Sequence, residues 1–174
     1  MVLSALPHKR LALVAGAAVA AVPLVLVTQT GAATGSSAGS RASTDLTFTL
    51  VEHSGTFHFV DLPPRQQKPN TASVGDEVIF VNPLTKNGQK AGRVEAVCVF
   101  TRGPQTPRPQ AICNGAFHLR GGQLTAAAGV TFTDQTVRIA ITGGTGRYEG
   151  ATGQVTSVTK SDRISVDTFH VILP

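Results

Sequence analysis

From residue 45 onward the chain consists of short runs rich in Val, Thr and Phe, broken by Pro, Gly and Asn. "LTFTLVEH" (Leu46–His53) alternates apolar and polar residues, which puts every second side chain on one buried face of a strand. "TFHFVDL" (Thr56–Leu62) resumes after Gly55, as the same strand continued past a bulge. Further runs follow at Asp76–Leu84, Arg93–Phe100, Ala111–Leu119, Gln123–Phe132, Val137–Thr142, Gly153–Thr159 and Arg163–Leu173. Asn87-Gly88 and Gly121-Gly122 are hairpin turn signals, and a loop containing Pro104, Pro107 and Pro109 separates two of the runs. Nothing beyond the first third shows apolar spacing at i, i+3, i+4, i+7 over a helical length. About eight strands joined by short turns define an antiparallel sandwich or barrel. Eight strands can close into a barrel with room for one small ligand, and closure removes the exposed edges that invite aggregation.

The first third is written differently. "MVLSALPHKR" carries Lys9 and Arg10 and no acid, Leu11–Val27 carries no charge, and small polar residues follow. A basic start, an apolar middle and a small-residue exit describe a signal peptide over residues 1–33, cut after Ala33. The alternative is a retained membrane anchor, since the run approaches the roughly 17 residues of the shortest spanning helix, although Pro23 interrupts it. Either way the folded part is expected outside the cytoplasm, secreted and without stable membrane insertion once the leader is cut. Residues 34–44 read as a flexible spacer and 45–174 as the barrel domain.

Cys98 and Cys113 are the two cysteines of an exported chain, which suggests a disulfide; two buried thiols are the other possibility. A hairpin that sets Cys98 opposite Cys113 would put both side chains on one face. The formal charge is +5, but Lys9, Arg10 and Arg41 lie in the leader and spacer, so 12 bases face 10 acids in the folded part, about +2. That balance is weak and scattered, with no basic cluster interleaved with aromatics, and it argues against nucleic acid as a partner.

The stretch "ITGGTGRYEGATGQV" (Ile141–Val155) poses the choice between a phosphate cradle and a turn. Gly144, Gly146 and Gly150 have the spacing G-x-G-x-x-x-G, no helical segment follows, and there is no Lys-Ser/Thr pair, so a dinucleotide or P-loop reading fails. Glycines between strands instead supply positive φ and close backbone approach, so Gly143, Gly144, Gly146, Gly150 and Gly153 are expected to build a tight structural turn at a barrel rim. "GGTGRYEGATGQV" resembles the signature of the allene oxide cyclase barrel family, whose barrel the plant dirigent proteins share. "GDEVIFVN" (Gly75–Asn82) and "AVCV" (Ala96–Val99) resemble further stretches of that family, and the resemblance spans roughly residues 45–174.

The resemblance implies an eight-stranded antiparallel barrel, no cofactor, and an apolar cavity holding a small hydrophobic or aromatic molecule. It implies that Glu52, matching the family's first-strand glutamate, assists acid–base chemistry. Asn82 would donate a hydrogen bond, and Cys98 matches the family's strand cysteine. It also allows a homotrimer. The residues alone support part of this. Leu46, Phe48, Leu50 and Glu52 fall on one face, so Glu52 would sit among apolar side chains, desolvated and with a raised pKa. The alternative is a bulge at His53–Gly55 that turns Glu52 to solvent. His53, His58, His118 and His170 lack metal-ligand spacing, so no metal site is expected; His170 reads as a core or rim histidine sharing a face with Ile164, Val166 and Ile172. Asp162, Asp167 and Glu149 read as solvated or turn-stabilising acids near strand ends, and no G-x-S-x-G elbow appears. The expected role is steering a cyclisation, isomerisation or coupling without a cofactor. The rivals are a non-catalytic binding module and a structural barrel with a packed interior.

Overall fold

The structure, a computed structural model, describes residues 43–63, 72–103 and 106–174. The leader, and the spacer as far as residue 42, lie outside the described residues. Among the described residues the protein is all β, with no helix long and apolar enough to cross a membrane.

Nine strand segments follow the chain: β1 (Thr44–His53), β2 (Thr56–Val60), β3 (Glu77–Lys86), β4 (Gln89–Arg102), β5 (Gln110–Leu119), β6 (Gly122–Thr131), β7 (Thr136–Gly146), β8 (Thr152–Ser161) and β9 (Ile164–Leu173). From β2 through β9 each pairs antiparallel with its chain neighbour, and β1 pairs with β9 along its whole length. The ring closes where β1 meets β3, at Val51↔Thr85 and Glu52↔Leu84. β1 and β2 both lie against β3, one beyond the other, so they act as one strand bent at Ser54-Gly55 and the barrel has eight strands. Gly55 permits that bend, because a Cβ there would run into the Val81 carbonyl oxygen.

Alternation along each strand fills one half of the interior. Leu50, Leu84, Val94, Phe117, Leu124, Ile141, Val155, Phe169 and Val171 are buried in a single cluster. Phe169 is its centre: it stacks on Phe48 at 4.7 Å between ring centroids and meets Phe117 edge-on at 4.9 Å. A smaller cluster around Val78, Cys98, Phe100 and Ala111 lies towards the end where β4 turns into β5.

The glycine stretch is a structural turn. β7 runs through Gly143 and Gly144 to Gly146, so these two lie in a strand, and Gly153 lies in β8; the turn itself is Arg147–Ala151. Gly146, Gly150 and Gly153 have φ of 62°, 71° and 127°, a region that side chains rarely adopt. A Cβ on Gly144 would strike the Tyr148 and Gln123 carbonyl oxygens. Tyr148 and Ala151 are thereby tucked into the core, and the Ala151 N–H donates to the Tyr148 carbonyl at 3.0 Å.

The Gly75-Asp76 pair has a similar structural meaning. Asp76 is fully buried, and its carboxylate accepts from the Leu62 N–H at 2.9 Å, the Ser73 N–H at 2.6 Å and the Ser73 hydroxyl at 3.0 Å. It clasps both ends of the connection between β2 and β3. Burial works to raise its pKa, but the three donors outweigh it and hold the carboxyl below its ordinary value.

Candidate functional site

The other half of the barrel is open. A cavity of about 210 Å³ is lined by Glu52, Phe80, Ala128, Phe132, Ser157 and Ser165, with Cys98 and Cys113 in its wall. The interior is therefore not filled by its own side chains. Phe132 stacks on Phe100 at 5.1 Å and is nearly half exposed, marking the mouth at the end where β6 turns into β7.

Glu52 points inward. The bulge follows it, at Ser54-Gly55, and leaves the alternation of β1 intact through His53. Asn82 holds it in place. The Asn82 Nδ2 donates to Glu52 Oε1 at 2.5 Å, and Asn82 Oδ1 accepts from the Gly55 N–H at 2.8 Å. One amide thus ties the carboxylate to the bend that ends its strand. The two residues singled out from the sequence are brought together by the closure of β1 on β3.

The residue that sequence reasoning missed is Asp167. It lies in the middle of β9, not at a turn, and is 1% exposed. No group stands in good hydrogen-bond geometry to either carboxylate oxygen among the described residues, although the Ser157 hydroxyl and the Glu52 carboxyl lie close enough to act on it. Its backbone partners are Leu50 on β1 and Ser157 on β8, while Glu52 faces Ser165, so Glu52, Asp167, Ser157 and Ser165 form one polar patch on an apolar wall. Burial first, and then the charge of Glu52, push the Asp167 pKa up to about 7, with the Ser157 hydroxyl pulling the other way. The signal was present in "ISVDTFHVIL": Asp167 shares its period-two face with Phe169 and Val171, both fully buried. His170 is on the opposite, outer face. Its Nε2 lies 2.9 Å from Asp45 Oδ2, and it is a surface residue rather than a core one.

Asn114 also lines the cavity, whereas the histidines and their partners stand apart from it. His118 contacts Glu95 and, at 3.0 Å, Gln123, and Glu95 also meets Arg93 at 3.5 Å; none of these residues lines the cavity. The His118 contact comes first, ahead of an opposing effect of burial, in holding the Glu95 carboxyl below its ordinary value. His53 binds the Thr85 hydroxyl at 2.9 Å across the β1–β3 seam, and His58 is exposed on β2. No group of three metal-ligating side chains converges among the described residues. Cys98 and Cys113 face each other across β4 and β5 with Cα atoms 4.0 Å apart and form a disulfide.

Comparison with known proteins adds the fold's context. No family model matches the chain, and no curated protein matches it. Solved structures do. A pyocyanin demethylase is 27% identical with a TM-score of 0.60, over 72% of this chain and 99% of its own. A pterocarpan synthase dirigent protein is 17% identical with a TM-score of 0.60, over 84% and 99%. An exo-specific intermolecular Diels-Alderase is 13% identical with a TM-score of 0.56, over 76% and 99%. The chain has the closed eight-stranded antiparallel barrel of the dirigent and allene oxide cyclase type.

Proposed function

We propose that the cavity binds a small hydrophobic or aromatic molecule and steers its cyclisation, isomerisation or coupling without a cofactor, with the Glu52–Asp167 pair handling a proton. The observation that carries this reading is the placement of Asp167, a fully buried carboxyl on the same inner face as Glu52 and beside Ser157. Its neighbour Glu52 lines the cavity and is fixed by Asn82. Two carboxyls set side by side on an apolar wall are a constellation suited to passing a proton. Glu52 is the catalytic residue: it touches the ligand, gives or accepts the proton, and faces any positive charge that develops. Asp167 is a positioning residue that sets how readily Glu52 exchanges that proton. The aromatic mouth and apolar walls exclude water and hold the ligand in a reactive shape.

Export through the leader fits a disulfide in the cavity wall. The outer face of β3, β4 and β5 carries Ile79, Val81, Val97 and Ile112, all at least one-third exposed. This strip supports self-association, as in the homotrimer that the resemblance allows. An Ile112→Asp variant is then expected to sediment as a monomer; an unchanged mass removes the strip from the interface.

The reading is tested with a panel of small aromatic compounds, headed by pyocyanin because a similar structure bears that name. Binding is followed by NMR at the Ala126 and Ala128 methyls, and turnover by product analysis. Glu52→Gln is expected to keep binding and to lower turnover at least a hundredfold, in line with the usual contribution of a general acid or base of roughly 10²–10⁴. Turnover that survives Glu52→Gln overturns the catalytic role. Binding with no turnover in the unaltered protein leaves a carrier.

A further inference from the structure

We infer a second ligand site, at the opposite end of the barrel, that takes a small amphipathic anion such as a medium-chain carboxylate. β1 pairs with β3 only at Val51 and Glu52, so towards its start the strand and the β3–β4 hairpin are not joined by backbone pairing. That opening uncovers a cavity of about 390 Å³ whose apolar wall is Leu46, Phe48, Leu50, Ala91 and Leu119.

Three cations line the same cavity: Lys86 from the end of β3, Arg120 from the β5–β6 turn and Arg147 from the β7–β8 turn. They come from three separate hairpins, and none forms an ion pair among the described residues. Of the acids at this end, Asp45 is engaged with His170, and Glu149 does not line the cavity. Arg147 is ordered from two sides. Its aliphatic stem packs on Gly121, where a Cβ would strike it, and its guanidinium stands 5.8 Å from the centre of the Tyr148 ring. An apolar basin ringed by uncompensated positive charge is complementary to a ligand with a short apolar body and one anionic head; a cation of the same shape would be repelled. The site is distinct from the Glu52 cavity, because Phe169 and its buried neighbours fill the barrel between them.

Tyr148 reports on this site alone. The chain has one tyrosine and no tryptophan, and that tyrosine lines the basin. The experiment titrates the full chain with decanoate, with decyltrimethylammonium and with vesicles of an anionic phospholipid, following tyrosine fluorescence below the critical micelle concentration. A saturable change is expected with decanoate and none with the cationic amphiphile. A Lys86→Gln/Arg120→Gln double variant is expected to weaken decanoate at least tenfold with unchanged thermal unfolding, while Glu52→Gln leaves its affinity as it was. Equal response to both amphiphiles, or undiminished affinity in the double variant, overturns the proposal. A response to vesicles alone replaces it with a membrane-facing patch. Loss of decanoate binding in Glu52→Gln shows a single cavity and also overturns it.

Discussion

Replacing Asp167 with asparagine keeps the shape of the side chain and removes its titration, so the comparison isolates what the buried carboxyl costs. The Asp167 pKa rises from 3.8 to about 7 on folding. The fold therefore prefers the protonated acid. Its contribution to stability is complete below pH 3.8, declines as pH rises, and is lost once pH passes about 7. At about 1.4 kcal/mol per pKa unit, a span of about 3 units gives roughly 4 kcal/mol. Urea unfolding of wild type and Asp167→Asn, followed by circular dichroism from about pH 4 to pH 8, reads this directly. The expected result is a stability difference that moves by about 4 kcal/mol in favour of Asp167→Asn as pH rises. Any fixed cost of the amide offsets the whole curve without changing its slope, and other acids such as Asp76 and Glu95 cancel because both proteins contain them. In a Glu52→Gln background the span shrinks but persists, since burial is the larger cause. A difference that stays flat across this range refutes the reasoning, because Asp167 would then be ionised at little cost.

Asp76→Ala removes the acceptor of three hydrogen bonds and is expected to cost about 3 kcal/mol in urea unfolding. With its folded pKa lowered, Asp76 contributes stability above its unfolded value and loses it as pH falls through the folded one, so the deficit of Asp76→Ala should narrow in acid. Opening the Cys98–Cys113 disulfide, whose cysteines are 15 residues apart, is expected to lower stability by about 3 kcal/mol, measured with and without reductant. Gly144→Ala is expected to destabilise by about 3 kcal/mol through overpacking, whereas Gly129→Ala, with open space at its Cβ, should leave the melting temperature nearly unchanged.

The period-two alternation was enough to read the strands, because a strand with one buried face leaves that mark in its own residues, but it left Glu52 open between the interior and a bulge that would turn it to solvent. Asn82 could be placed beside Glu52 only through a family resemblance, since the two meet 30 residues apart through ring closure. Asp167 was legible in principle and was passed over, because an acid is ordinarily solvated and its fully buried neighbours Phe169 and Val171 were not weighed against that habit. His170 erred in the other direction: Ile164, Val166 and Ile172 looked like a core face, yet Ile164 and Ile172 are among the exposed apolar residues. Both faces of β9 carry apolar side chains, so alternation alone does not tell the inside from the outside. The cavity itself was not legible, because its size depends on how eight strands share one interior.

The stack of Phe48, Phe169 and Phe117 across the barrel has a kinetic consequence. A tube open at both ends could take a substrate in at one and discharge the product at the other. Among the described residues this one is plugged in the middle, so a ligand that came in past Phe132 to Glu52 would leave the same way. Turnover would then be a queue at a single door: each product occupies the passage the next substrate needs, and product accumulation competes directly with uptake. Widening that door at Phe132, rather than altering the carboxyls, is where a faster variant would be sought.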